Sequence, residues 1–112
     1  MKEDTIFLEH IIEAIQSIQD YTSSLTKDDF LQNKLVKDAT IRNFEIIGEA
    51  TKNISIKLKE KYKIIEWKNM AGMRDKLIHG YFGVDYFIIW ETIIHILPKL
   101  KNDINYILEQ ES

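Results

Sequence analysis

Residues 64–83 read Ile-Ile-Glu-Trp-Lys-Asn-Met-Ala-Gly-Met-Arg-Asp-Lys-Leu-Ile-His-Gly-Tyr-Phe-Gly. On a wheel of about 100° per residue, Trp67, Met70, Leu77, Ile78 and Tyr81 share one apolar stripe, which predicts a helix over roughly 64–80. Gly80 and Gly83 supply the permissive dihedrals that a helix end needs. Arg74 falls in the middle of the stripe, where a lone guanidinium is costly unless an anion or a wet cleft receives it. Two readings follow. Arg74 is either a structural cation paired with a buried acid, with Asp38, Glu45 and Glu49 as candidates, or a phosphate-binding group facing a cleft.

The rest of the chain extends the helical pattern outward from this segment. Residues 4–24 carry Leu8, Ile11, Ile15, Ile18 and Thr22 at three- and four-residue spacing, with Asp4 or Thr5 as candidate caps. Thr26 followed by Lys-Asp-Asp-Phe resembles a capping box opening a short helix at about 27–33. Residues 34–60 read as one long helix with Val36, Ala39, Asn43, Ile47, Ala50 and Ile54 along one side. Gly48 within it marks a close approach of another helix. Asp85 is placed to cap a last helix over 86–109, whose apolar side carries Ile89, Trp90, Ile93, Leu97, Leu100, Ile104 and Ile107. Pro98 should kink that helix at or before Leu97 without splitting it. The expectation is an all-α, up-and-down bundle of four main helices plus a short one, forming a single domain over 1–112. Tyr81, Phe82, Tyr86, Phe87 and Trp90 crowd the segment before the last helix, an apolar rim suited to dimerisation.

Composition narrows the function. Zero cysteines remove disulfides, Cys-based zinc sites and thiol catalysis. The N-terminus lacks a signal-peptide core and no apolar run is long enough for a membrane span, so a cytoplasmic protein is expected. A formal net charge of −3 argues against a general nucleic-acid coat but leaves room for a small local RNA cleft. The lysines at 52, 57, 59, 61 and 63 read first as a solvated helix face and second as a strip tracking a nucleic-acid backbone. No Walker loop, dinucleotide fingerprint, nucleophile elbow or metal-ligand histidine spacing occurs, so no metal and no cofactor is expected. His10 and His95 have no acidic partner at a useful spacing and read as ordinary surface or core histidines.

His79 differs. Asp75 lies four residues before it and is placed to bond one ring nitrogen, leaving the other for proton transfer. A base, a cation and a polar orienting group suffice to cleave RNA through its own 2′-hydroxyl, giving a 2′,3′-cyclic phosphate and a 5′-hydroxyl. The same residues could equally cap a helix end. One geometric conflict remains: His79 points roughly 140° away from Arg74 on a straight helix. Either the helix distorts, or a second copy of the chain supplies one of the two groups.

The pattern Arg74-x4-His79-x-Tyr81, with polar Asp75 directly after the arginine, resembles the signature of HEPN-superfamily ribonucleases and, more narrowly, the HepT toxins of MNT–HepT toxin–antitoxin systems. Asp38-x3-Arg42, Ile46-Ile-Gly-Glu-Ala50, Trp67, Met70-Ala-Gly-Met-Arg74 and Val84-Asp85 with Trp90 support it along most of the chain. The resemblance implies an all-helical homodimer whose cleft joins two symmetry-related motifs. It also implies metal-independent endoribonuclease activity on tRNA or mRNA, in a type VII-like system. Arg74 and His79 would then be catalytic and Asp75 supporting, with Asp38, Arg42 and Glu49 as structural or cleft-lining positions. The implied partner is an MNT-type nucleotidyltransferase antitoxin that transfers AMP from ATP onto Tyr81, adding bulk and negative charge beside Arg74. Asp75 departs from the asparagine common in such relatives. The alternatives are a non-catalytic dimeric scaffold for the nucleotidyltransferase, and a plain interaction protein in which the motif is structural.

Overall fold

A computed structural model describes residues 2–79 and 83–112, without the side chains of Lys2, Leu77, Ile78 and His79. Its described residues form seven helices and no strand: α1 Lys2–Thr22, α2 Lys27–Gln32, α3 Lys34–Asn53, α4 Ile56–Lys61, α5 Trp67–His79, α6 Tyr86–His95 and α7 Leu97–Glu111. α3 lies between α1 and α5, and α7 packs on the other flank of α1. The shortest dimension is 19 Å, the thickness of two helix layers. Among the described residues, no helix is long and apolar enough to cross a membrane.

The periodic apolar positions build the core. Leu8, Ile11, Ile15 and Ile18 of α1 are fully buried, as are Ile104 and Ile107 of α7. Thr22, predicted on the same stripe, is buried with its hydroxyl donating to the Ile18 carbonyl at 2.8 Å. Thr26 accepts from the Asp29 backbone N–H while Asp29 accepts from that of Thr26, so the capping box forms as the sequence suggests. Asp85 caps α6 by accepting from the Phe87 and Ile88 backbone N–H groups. Phe30 of α2 is fully buried between the rings of Tyr86 and Trp90, at 6.5 and 5.3 Å.

Three features of the sequence reading need correction. The predicted helix over 34–60 is two helices, because Ile54 and Ser55 are extended and Ser55 caps α4 at Leu58 N–H. Asp4 stabilises that break: its buried carboxylate accepts from Ser55 N at 2.8 Å and Ser55 Oγ at 2.7 Å. Hydrogen bonds to a charged group are each worth about 1.5–3 kcal/mol. Asp4 therefore does not cap α1, which begins before it, but ties the first helix to the fourth. Secondly, the buried face of α3 runs through Thr40, Ile41, Phe44, Ile47, Gly48, Ala50 and Thr51. Asn43 is half-buried and donates to the Ala39 carbonyl, while Val36 and Ala39 are also only half-buried. A helix flanked on two sides buries a wider arc than a single stripe reveals. Thirdly, Ile96 alone separates α6 from α7, its backbone still near helical values, with Pro98 in the first turn of α7. The proline thus sits where its missing N–H has no helical partner to lose.

Gly48 confirms the expected close approach. A Cβ built there would overlap the Arg74 Cβ and lie 2.9 Å from the Arg74 backbone N. α5 can therefore reach α3 only because position 48 has no side chain. The predicted helix stop at 80–82, and the side chains of Leu77 and Ile78 in the apolar stripe, lie outside the described residues. Of the aromatic rim, Trp90 is buried, Tyr86 half-buried and Phe87 exposed, with Ile88, Ile94 and Ile96 exposed on the same stretch of chain. Tyr81 and Phe82 lie outside the described residues.

Gly48→Ala should destabilise the protein by about 1–3 kcal/mol through overpacking, despite the roughly 1 kcal/mol that alanine adds to helix propensity. Thermal melting followed by circular dichroism reads this directly. A midpoint equal to or above that of the unmodified chain would contradict the close seam.

Candidate active site

The Gly48 seam sets which side chains meet. It brings α5 onto α3 at Arg74, so Glu49 and Lys52, one and four residues beyond Gly48, face Arg74 and Asp75. Arg74 Nε forms an ion pair with Glu49 Oε2 at 2.9 Å, and its Nη1 donates to Asp75 Oδ1 at 3.3 Å. Lys52 Nζ donates to the same Asp75 oxygen at 2.5 Å. Four charges of alternating sign, Glu49, Arg74, Asp75 and Lys52, thus run along the edge of the seam.

The Arg74 side chain is 35% exposed, and Glu49 is 56% exposed. The apolar stripe therefore ends at water, and the guanidinium is not buried as the wheel suggested. Of the three acids proposed as its partner, Glu49 takes the role, although it is not a buried acid. Glu45 pairs loosely with Arg42 at 3.9 Å, and Asp38 pairs with Lys34 at 2.7 Å one turn from the start of α3. Exposed pairs of this kind are worth about 0–1 kcal/mol, so they orient more than they stabilise. Two contacts hold the plane of the guanidinium. Among the described residues, Nη2 and the second Nη1 hydrogen remain available to an incoming anion.

The Lys52 hydrogen bond is the first cause holding the Asp75 carboxyl below its ordinary value; it outweighs the opposing effect of desolvation, and the charge of Lys52 and the contact with Arg74 act in the same lowering sense. Asp75 is therefore ionised at neutral pH. Its pairing contributes stability above the unfolded-state value, and that contribution disappears as pH falls through the lowered folded-state value. The predicted bond from Asp75 to His79 rests on a side chain outside the described residues. The carboxylate is instead seen between Lys52 and Arg74. Lys52 was legible only as one lysine of a solvated run, and its partner is 23 residues away. The backbone of α5 is regular helix through His79, so no distortion between 74 and 79 brings the two positions onto one face. Tyr81 lies outside the described residues.

Arg74 also opens on a cavity of about 220 Å³ between α1, α3 and α5, lined by His10, Arg42, Glu45, Glu49 and Asn53 among others. Arg42 and Glu49 thus share a space with Arg74, whereas Asp38 does not line it. His10 is an unexpected member. It is exposed on α1, with its ring edge-on to Phe7 at 6.0 Å. The sequence offered no signal for this, since the convergence is tertiary. His95 is a surface histidine as expected, but it does have an acidic neighbour at helical spacing: its Nε2 lies 3.1 Å from Glu91 Oε2, four residues earlier on an exposed face. A second cavity of about 430 Å³, lined by Phe44, Ile47, Met70, Met73, Leu97 and Leu100 among others, is mostly apolar and lies apart from Arg74. Among the described residues, no three His, Asp or Glu side chains converge in a way that could hold a metal ion.

A family model described as "Ribonuclease HepT-like" matches residues 11–107. A "Putative RNase" of Caldanaerobacter subterraneus is 42% identical over 111 residues, covering 99% of each chain. The "Probable ribonuclease HepT" of Thermococcus cleftensis is 48% identical over 95 residues, covering 85% of this chain and 86% of its own. A "Gamma-glutamylcyclotransferase and putative RNase" of Methanocaldococcus jannaschii is 49% identical over 109 residues, 97% of this chain. The chain spans about half, 49%, of that relative's length. No solved structure gives a significant match. The family match covers most of the residues that carry the helical core and all of the Arg74–Tyr81 motif, so the chain belongs to the HepT-like ribonuclease family.

Proposed function

We propose that the protein is a metal-independent endoribonuclease acting as the toxin of a type VII-like toxin–antitoxin pair, with tRNA or mRNA as substrate. The observation that carries this reading is Arg74: a cation oriented by Glu49 and Asp75 at a water-accessible edge, with donors still available for phosphate oxygens. His79 removes the 2′-hydroxyl proton, and the 2′-oxygen attacks the adjacent phosphorus. Arg74 stabilises the charge that builds on the equatorial oxygens. The bond from phosphorus to the 5′-oxygen breaks, and that oxygen takes a proton as it leaves. Asp75 supports the site by holding the guanidinium and adding a fixed negative charge beside α5.

The cleft is shared by two copies of the chain. The regular helix from Arg74 to His79 supports this, because it puts the two positions about 140° apart and leaves a second protomer to bring them together. The exposed Phe87, Ile88, Ile94 and Ile96 offer apolar surface for such a dimer. Neutralisation is by an MNT-type nucleotidyltransferase that places AMP on Tyr81, adding negative charge near Arg74 and opposing RNA binding.

One observation favours the runner-up, a non-catalytic scaffold for the nucleotidyltransferase. The described cations along the seam, Arg42, Lys52 and Arg74, each have a carboxylate partner, so the cleft is close to neutral. Purified protein with no partner present separates the two readings. Arg74→Ala is expected to slow RNA cleavage about 10²–10³-fold and His79→Ala about 10²–10⁴-fold, with melting midpoints little changed. Product ends should be 2′,3′-cyclic phosphates, read by mass spectrometry. Cleavage that persists in His79→Ala, or no cleavage by the unmodified protein, would reject the catalytic reading. Co-expression with the nucleotidyltransferase should add AMP-sized mass increments that vanish in Tyr81→Phe; increments that survive would place the modification elsewhere.

A further inference from the structure

The cavity beside Arg74 holds a second set of groups, of which only Glu49, through its pairing with Arg74, takes part in the proposed cleavage. Arg42, Glu45, Glu49 and Asn53 follow one another at three- and four-residue steps along one face of α3, and His10 faces them from α1. The volume of about 220 Å³ equals the share of roughly seven water molecules, enough for a phosphodiester and its flanking atoms. From Arg42 to Glu49, which holds Arg74, is about 10 Å along the helix axis. That span corresponds to roughly two or three nucleotide steps at the axial rise of a helical strand, fewer if the strand is extended.

We propose that this cavity is a second phosphate subsite, in which Arg42 and His10 receive a phosphodiester of the same RNA strand near the one that Arg74 holds. The inference rests on the reading of Arg74 as the cation at the scissile phosphate. Arg42 suits the task because its hold on Glu45 is loose: the 3.9 Å separation is too long for a hydrogen bond, and its side chain is 70% exposed. Exchanging such a partner for a phosphate costs little. His10 contributes a ring donor whose tilt is set by its edge contact with Phe7 at 89° between planes. Glu45 and Glu49 work against a lone anion. A strand that engages Arg42 and Arg74 together gains from both contacts at once, so the subsite favours a polyanion over inorganic phosphate.

The test is a salt titration of binding, using a fluorescein-labelled single-stranded RNA of roughly a dozen nucleotides and fluorescence anisotropy, in a His79→Ala background. Each phosphate contact on a single strand contributes about 0.7 to the slope of log affinity against log salt. Arg42→Gln should lower that slope by about 0.7 and weaken binding about fivefold at low salt. His10→Gln should weaken binding more modestly, and Lys99→Gln, the same charge removed on α7, should leave the slope unchanged. In the catalytic background, Arg42→Gln should raise KM more than it lowers kcat. RNA binding that depends on Arg42 without any cleavage would support the subsite and refute the catalytic reading. Cleavage with no effect of Arg42→Gln on slope or KM would overturn the subsite and leave catalysis standing. No salt-dependent RNA binding by any form would overturn both.

Discussion

The missing side chain at position 48 is the constraint on which the arrangement of this protein depends. With no Cβ in the way, the backbone of α5 meets α3 at Arg74, and the contact sets both the depth and the rotation of α5. The rotation matters as much as the depth. It turns Arg74 towards the α3 face that carries Glu49 and Lys52, and so decides which charges become neighbours. α1 and α7 supply the fully buried aliphatic layer behind α3, and the tie from Asp4 to Ser55 holds α1 to the chain just beyond α3. The core makes the platform, and the glycine lets the functional helix sit on it.

The charges along the seam orient the site more than they stabilise the fold. Each pair involves at least one side chain that is a third or more exposed, the range in which ion pairs contribute little net free energy. What they supply is direction. Arg74 meets Glu49 through Nε and Asp75 through Nη1, which orients the fork while leaving Nη2 without a partner among the described residues. Lys52 holds the Asp75 carboxyl below its ordinary value, so its contact with Arg74 persists to lower pH than an unpaired aspartate would allow. A cation loosely held by exposed carboxylates can exchange one of them for phosphate at small cost. A deeply buried pair could not.

Much of this was legible in the sequence because it depends on local spacing. The capping box at Thr26, the Asp85 cap and the aliphatic stripes of α1 and α7 follow from residues within a few positions of one another, and a glycine inside a helix marked the tight approach at Gly48 without naming its partner, Arg74. The family motif likewise pointed to Arg74, and Glu49 was among its candidate partners. The break at Ile54–Ser55 was not legible, since it is stabilised by Asp4 from 51 residues away. The same holds for the Lys52–Asp75 pair and for the meeting of His10 with Arg42 across two helices. The Glu91–His95 pair is a different case, because its four-residue spacing on one helix is local and legible in the sequence. The wheel also overstated the burial of Arg74, since it cannot show where the neighbouring helix stops and water begins.

The regular helix of α5 sets positions 74 and 79 about 140° apart, and the proposed cooperation between them therefore runs across two chains. Mixing Arg74→Ala and His79→Ala proteins, each inactive alone, tests this most directly once subunits have been allowed to exchange. A cleft built across two protomers predicts that RNA cleavage returns, because one chain still carries the arginine and the other the histidine. Mixed dimers that remain as inactive as either parent, with exchange verified by native mass spectrometry, would contradict a shared cleft.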